Sequence, residues 1–392
     1  MNIGIILDND LNDDARVIKQ IEILKKNHNV HVLCYEFIGK SYKSIEGIKV
    51  ERIKILLEIK NFIFLLFNFF PLYEMFWSYK ISKFIRKNSI AIIHSHDLYM
   101  SKCVYDANKK NKYKCKLILD LHENYPEVIK TYNWTKGLIR NIIVRPNIWK
   151  KKEKEYLGYP DKIIVLSNYY KNKILNKYSF ISEKNILVYP NVIDFKRFKN
   201  FQMDRKIKRS NLKTLFYFGA VAERRGIFHL LTSLNDIIKK GYRIKLLIIG
   251  PIDKADKIKF FDLIKSNFLR KYIEYIPWIN IEKLPTYLNI SDICVAPFIV
   301  NKQHESGIAN KIFQYMYGKK PIIASNCKPQ AQLINKFKCG LIYKNLEDLT
   351  NKILYLTKNN NEIERMGING FNNLHKFYNN DELSNDLLNL YK

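Results

Sequence analysis

Cysteines are few and scattered. Cys34, Cys103, Cys115, Cys294, Cys327 and Cys339 form no C-x-x-C pair and no metal-ligand spacing. This excludes a zinc finger and a disulfide framework, and it reads as reduced core thiols in a cytosolic protein. No His/Cys/Asp cluster is spaced to hold an ion, so no metal is expected. A clean apolar run of about 20 residues, which a spanning helix requires, is also missing. The nearest is Phe62 to Trp77, FIFLLFNFFPLYEMFW, interrupted by Asn68, Pro71 and Glu74 and followed by the basic amphipathic stretch Tyr79 to Lys87. Two readings of it stay open: a buried core helix, and a segment dipping into one monolayer. The start, MNIGIILDND, lacks a basic region followed by a long apolar one, so it reads as a first strand and not a leader. RNP, helix-turn-helix and zinc-finger patterns are absent, and no nucleic-acid partner is expected.

What is present begins with size. The chain has 392 residues, beyond the point where one core usually stops growing, so two domains are expected. Hydrophobic residues make up 47% and aromatics 14%, too apolar for a disordered chain. Lys and Arg number 67 against 37 Asp and Glu, a net +30 that points to an anionic partner. The excess is uneven: +3 over residues 1–100, +13 over 101–200 and +14 over the remainder.

Short apolar runs alternate with helical patterns throughout. Ile3–Leu7, Val30–Tyr35, Ala91–His94, Lys116–Asp120, Lys162–Ser167 and Ile186–Tyr189 read as buried strands, with a helix over Asp14–Lys26. Residues 199–213 are polar, basic and nearly free of aliphatics, and read as a linker. The alternation then restarts with strands over Thr214–Gly219, Arg243–Gly250, Tyr272–Ile276, Ile293–Ala296, Pro321–Ala324 and Gly340–Tyr343, and with helices over Gly226–Lys239 and Ala309–Tyr317. The predicted class is α/β: two doubly wound Rossmann-like domains facing across a cleft, with ligands at the carboxyl ends of strands.

Two segments can carry chemistry. The first is Phe218-Gly219-Ala220-Val221-Ala222-Glu223-Arg224-Arg225-Gly226. Its Gly219 lets the backbone pass close to a ligand, and its arginines beside a helix start supply donors suited to phosphate. A solvated loop is the plainer reading. The second is His304-Glu305-Ser306-Gly307-Ile308-Ala309-Asn310-Lys311, running on to Gln314 and Met316. Ile308, Ile312 and Met316 share the inward helix face, while Lys311 and Gln314 share another. An ordinary Ser-capped helix fits that spacing equally well.

The second segment, followed by GKKPIIAS, resembles the signature of family 4 retaining glycosyltransferases with the GT-B fold. Other pieces occur in that family's order: Asp14-Ala15-Arg16-Val17, Asp120-Leu121-His122-Glu123, YPNVID from Tyr189, the Gly219 to Gly226 turn, and LPTYLNISDICVAP from Leu284. The resemblance implies a nucleotide-sugar in the cleft, held mainly by the C-terminal half. Gly219, Arg224, Arg225, Pro277, Trp278, Ser306, Gly307, Ile308, Lys311 and Gln314 would be on the donor side. Arg225 would neutralise the diphosphate, and Gly307 and Ile308 would donate backbone amides. Trp278 would line the base, whereas on pattern alone it fits a core equally. His122 would stand near the transferring sugar, although alone it reads as a satisfied strand-end histidine. Asp14, Arg16, His96, Asp97 and Glu123 would be on the acceptor side.

The departures are specific. The family carries two acids eight residues apart, and here those positions are Ser306 and Gln314, with Glu305 displaced by one residue. Glu305 stands with His122 as a candidate catalytic group. The resemblance divides the chain into an acceptor-binding domain over 1–198, a linker over 199–213 and a donor-binding domain over 214–375, with a terminal helix near 376–392 packing back on the first. It implies a glycosyltransferase making surface polysaccharide, glycolipid or glycoprotein glycan, without cofactor or metal, with a glycan or lipid-linked acceptor. The expected location is the cytoplasmic face of the membrane. There, Lys109, Lys110, Lys112, Lys114 and Lys116 would form one basic cluster. Arg140, Arg145, Lys150, Lys151, Lys152 and Lys154, interleaved with Trp134, Ile139, Ile142, Ile143 and Trp149, would form another, meeting anionic lipid. A nucleotide-sugar 2-epimerase and a catalytically silent scaffold are the alternatives on the same fold.

Overall fold

The computed structural model describes residues 1–39, 44–66, 70–129, 146–265 and 268–392. Residues 67–69 of the apolar tract, and Trp134, Ile139, Arg140, Ile142, Ile143 and Arg145 of the second basic cluster, lie outside the described residues.

The chain forms two α/β units. The first joins Met1–Pro190 to Asp381–Lys392, and the second is Asn191–Asn380. The first unit is built on β1 (Asn2–Asp10), β2 (Asn29–Phe37), β3 (Lys49–Ile55), β4 (Ile92–His96), β5 (Lys116–Asp120), β6 (Lys162–Val165) and β7 (Ile186–Val188), in the order β3-β2-β1-β4-β5-β6-β7. The second is built on β8 (Lys213–Phe218), β9 (Ile244–Ile249), β10 (Ile273–Ile276), β11 (Ile293–Ala296), β12 (Ile322–Ser325) and β13 (Gly340–Tyr343), in the order β10-β9-β8-β11-β12-β13. Neighbouring strands run parallel in both sheets. Such sheets bury both faces, which is why strands such as IIHSH and ICVA are solvent-free along their whole length.

The unit boundary falls at Pro190, ahead of the polar stretch 199–213. That stretch belongs to the second unit because side chains tie it there. Asp204 donates its amide to Thr286 Oγ1 at 2.9 Å, and Arg209 pairs with the buried Asp292. The C-terminal helix Asn380–Asn389 returns to the first unit, where Lys116 donates to the Leu390 carbonyl at 2.6 Å and the buried Tyr391 hydroxyl meets His94 Nδ1 at 2.5 Å.

The apolar tract divides between its two readings. It lies on the helices Leu57–Leu66 and Leu72–Asn88; Tyr73 and Trp77 are buried, whereas Phe62, Phe70, Leu72 and Met75 are each more than half exposed. No helix among the described residues is long and apolar enough to cross a membrane.

Candidate active site

In each sheet the strand order reverses once, between β1 and β4 and between β8 and β11, and ligands of doubly wound sheets bind outside the strand ends at that point. Sequence-predicted residues gather at both places.

In the second unit the chain leaves β8 at Gly219, whose φ is 121°, and a Cβ there would stand 3.3 Å from the Lys311 ammonium nitrogen. The 3-10 turn Glu223–Arg225 follows and ends at Gly226, with φ 76°. A Cβ on Gly226 would lie 1.6 Å from the Pro297 carbonyl oxygen, so only glycine lets this turn press on the loop after β11. The result is a pair of cations on one ring. The Arg225 guanidinium lies 5.1 Å from the Phe298 centroid and Lys311 Nζ lies 5.0 Å from it, with the Tyr217 ring 4.0 Å from the same nitrogen.

Lys311 opens the helix Asn310–Tyr317 and is 8% exposed. Burial, reinforced by the Arg225 charge, holds its pKa well below the ordinary lysine value. Among the described residues, no carboxylate is one of the groups that bear on it. The expected Ser cap is not formed: Ser306 is buried with its hydroxyl donating to the Gln303 carbonyl at 2.7 Å, and Ala309 occupies the N-cap without a side-chain bond. The N-cap residue Ala309 thus supplies no side-chain bond to the first-turn amides, an arrangement that suits an anion. Glu305, Gly307, Ile308 and Gln314 are half-buried along this segment.

Other expectations sort by exposure and pairing. Trp278 is 73% exposed beyond β10 and is not a core residue; Pro277 beside it is exposed too. Arg224 is held by Asp253, Nη2 to Oδ2 at 3.3 Å, which leaves Arg225 as the arginine nearer Lys311's ring. Tyr217 and His304 stand in the motifs but were given no site role, and Phe298 was passed over. His304 donates Nδ1–H to the Ile299 carbonyl at 2.7 Å, its ring lies 5.0 Å from Phe298, and burial pushes its pKa down to about 4. Phe298 directly follows the LPTYLNISDICVAP motif, and that adjacency was the available signal.

In the first unit the β4–β5 register sets His96 against Asp120. The period of two along β4 puts His94 on the same side, and the next turn carries His122. Asp120 is fully buried and accepts from Arg16 Nε and Nη2, both at 2.9 Å, and from Gln20 Nε2 at 2.7 Å. His96 Nδ1 meets His122 Nε2 at 2.9 Å, and His122 Nδ1 lies 3.8 Å from Asp14 Oδ2. Arg16 and His96, expected on the acceptor side, are buried. They brace Asp120 and His122 from beneath, while Asp14, Asp97, His122 and Glu123 line an adjacent cavity. Burial drives the His96 pKa well below the ordinary value, with His94 and His122 adding to it.

His94, His96 and Asp120 are close enough together to hold an ion, a group the sequence spacing did not reveal. The donor set does not suit one, because a bidentate arginine already takes both Asp120 oxygens. Asp8-Asn9-Asp10, an Asp-x-Asp sequence, was likewise passed over. Asp10 accepts from the Asn12 amide, and Asp8 faces Lys60 at 3.4 Å.

Burial raises the Asp120 carboxyl, but Arg16, His122 and His96 outweigh it and hold the pKa well below the usual carboxylate range. The stability this supplies is fully present above the ordinary aspartate pKa of 3.8 and is lost as pH falls through the folded value. Asp120→Asn strands the Arg16 cation in the core and should cost about 3–5 kcal/mol, read by denaturant unfolding at neutral pH. A cost under about 1 kcal/mol would show that the pair does not brace this unit.

Two family models match consecutive stretches of the chain. Glycosyltransferase Family 4 matches residues 21–197, and Glycosyl transferases group 1 matches residues 198–373. The chain belongs to the family 4 glycosyltransferases. This family 4 glycosyltransferase is 24% identical over 218 residues to the capsular polysaccharide biosynthesis glycosyltransferase CapM of Staphylococcus aureus, covering 53% of this chain and 55% of CapM. The chain spans just over half the length of the curated relatives it matches. Among solved structures it is similar to sucrose-phosphate synthase from Thermosynechococcus elongatus, with a TM-score of 0.75 at 15% identity over 100% of this chain and 98% of that one. HepE of Anabaena, solved in complex with UDP, has a TM-score of 0.70 at 12% identity over 100% and 99%. These likenesses show the GT-B fold of the family 4 enzymes.

Proposed function

We propose that this family 4 glycosyltransferase moves a sugar from a nucleoside-diphosphate donor, bound by its C-terminal unit, to a glycan or lipid-linked acceptor received by its N-terminal unit. The product would be a surface polysaccharide or glycoconjugate. One observation carries the reading. Lys311 is buried with no carboxylate bearing on it among the described residues, beside Arg225, Gly219 and a helix whose N-cap residue makes no side-chain bond. A buried cation without a counter-charge is costly, and a diphosphate supplies the missing charge. The UDP bound to HepE and the name of CapM support the same donor and pathway class.

Breaking the anomeric C–O bond puts charge on the leaving diphosphate and oxocarbenium character on the sugar. Arg225, Lys311 and the first-turn amides would oppose the first by preorganised electrostatics. They would do so without a metal, so chelation by EDTA should leave turnover unchanged. His122 would stand near the transferring sugar and donate to one of its hydroxyls. Retention would follow from attack on the leaving-group face, with the diphosphate helping to deprotonate the acceptor. Exposed Phe62, Phe70, Leu72 and Met75, with Arg86 and Lys87 at the far end of the helix Leu72–Asn88, would seat the N-terminal unit on an anionic membrane surface, which vesicle sedimentation tests.

The deciding assay incubates the purified protein with a panel of nucleotide-sugars and measures nucleoside diphosphate release. Release with at least one donor is expected; silence across the panel favours a scaffold. Gln314→Glu restores the acid at the family position and should leave nucleotide affinity unchanged or tighter, since an amide oxygen and a carboxylate both accept from a ribose hydroxyl. A loss of more than about 10-fold, read by calorimetry, would show that Gln314 does not occupy the ribose position.

A further inference from the structure

A cavity of about 640 Å³ opens beside His122 in the N-terminal unit, within the range typical of small-molecule sites. Its lining runs against the charge of the chain. The protein carries 67 basic residues against 37 acidic ones, yet Asp8, Asp14, Asp97 and Glu123 line this cavity, and Lys60 is the one lysine or arginine in its described wall. The rest of that wall is largely aromatic, with Phe37, Phe62, Phe64, Tyr99 and Tyr125.

We propose that this cavity receives the sugar to be glycosylated, and that this sugar is an uncharged hexopyranosyl group, not a uronic acid or a sugar phosphate. The proposal rests on the glycosyltransferase reading and narrows its acceptor. Asp8 is 2% exposed, and Lys60, Tyr73 and Tyr99 are the neighbours whose polar groups bear on its carboxyl. Its Lys60 contact is an ion pair at 3.4 Å. A carboxylate has about four acceptor sites, and sugar hydroxyls are donors that share them. Asp97, held in the left-handed region at φ 70°, adds a second half-buried carboxyl, which also accepts from the Tyr99 hydroxyl at 3.3 Å. Burial raises the pKa of both carboxyls, a sign that the cavity already disfavours negative charge. An acceptor bearing a carboxylate or phosphate would add a like charge to this acidic lining. A neutral pyranose brings only hydroxyls for the acids and an apolar face for the rings.

The test uses the full chain without donor. Methyl gluco-, galacto- and mannopyranosides and the matching methyl uronides are titrated by saturation-transfer NMR, with UDP and GDP titrated in parallel. At least one neutral glycoside should bind saturably, with its uronide roughly 10-fold weaker or worse. Asp97→Asn combined with Glu123→Gln should shrink that gap, and Phe64→Ala should weaken the neutral sugar. A uronide that binds as well as its neutral partner overturns the proposal, as does the absence of saturable binding by any neutral glycoside. Should a variant fail to fold, the wild-type comparison still decides. Failure of both nucleotides to bind would count against the donor reading separately.

Discussion

Arg225→Ala should lower turnover by about 10²–10³-fold while the protein remains folded, because it removes a preorganised donor from the leaving diphosphate. The side chain is half-buried at the end of a short 3-10 turn, and the turn itself is fixed by the Arg225 amide bonding the Ala222 carbonyl at 3.0 Å. Truncation leaves that backbone bond in place and vacates the space over Phe298. Unfolding free energy should therefore change by less than about 1 kcal/mol. Lysine at this position restores charge but not the planar fork, so Arg225→Lys should recover only part of the rate. Steady-state nucleoside diphosphate release alongside thermal unfolding separates the two effects. Wild-type turnover in the alanine variant would remove Arg225 from the phosphate site.

Lys311→Met should move stability and function in opposite directions. Methionine is close in length, sits comfortably against Tyr217 and Phe298, and removes a buried cation on which no carboxylate bears among the described residues. Replacing buried charge by apolar volume should stabilise the empty protein by about 1–4 kcal/mol. Nucleotide affinity should fall about 10- to 100-fold, the worth of a charge-assisted bond to phosphate. The pH dependence carries the same signature. A lysine whose folded pKa lies below its unfolded one lets the unfolded chain hold more protons between the two values. Stability of the wild type should thus rise with pH from the depressed folded value toward the ordinary 10.5, and that rise should vanish in the methionine variant. Nucleotide binding should also draw a proton onto Lys311 within that window, read as a binding enthalpy that depends on buffer ionisation.

Much of this was legible in the chain. Buried parallel strands announce themselves as apolar runs, and Lys116–Asp120, Ile293–Ala296 and Gly340–Tyr343 fall where those runs stand. β3 went unnoticed because KVERIKI is a charged, half-exposed edge strand without such a run. The Arg225 turn and the Lys311 helix were visible as motifs, but their meeting on the Phe298 ring was not. It depends on Gly226 packing against the Pro297 carbonyl, a contact between segments distant in sequence. Arg16 shows the same limit. As a residue at a helix start after the first strand it looks available to a ligand, yet the burial of Asp120 claims it. His96 is likewise claimed by register, since only the β4–β5 pairing shows that it lies beneath His122. Asp14, Asp97 and Glu123 of the acid-lined cavity stood among the acceptor-side residues of the resemblance, but Asp8 and the shared wall did not, because these groups come from the ends of separate strands and loops.

The most direct measurement is a crystal structure of the wild-type chain with a nucleoside diphosphate bound. Its phosphate oxygens should stand within about 3 Å of Lys311 Nζ and the Arg225 guanidinium, with the terminal phosphate at the amides that open the helix Asn310–Tyr317. A diphosphate seated away from both cations, with Lys311 still buried and uncompensated, would contradict the account.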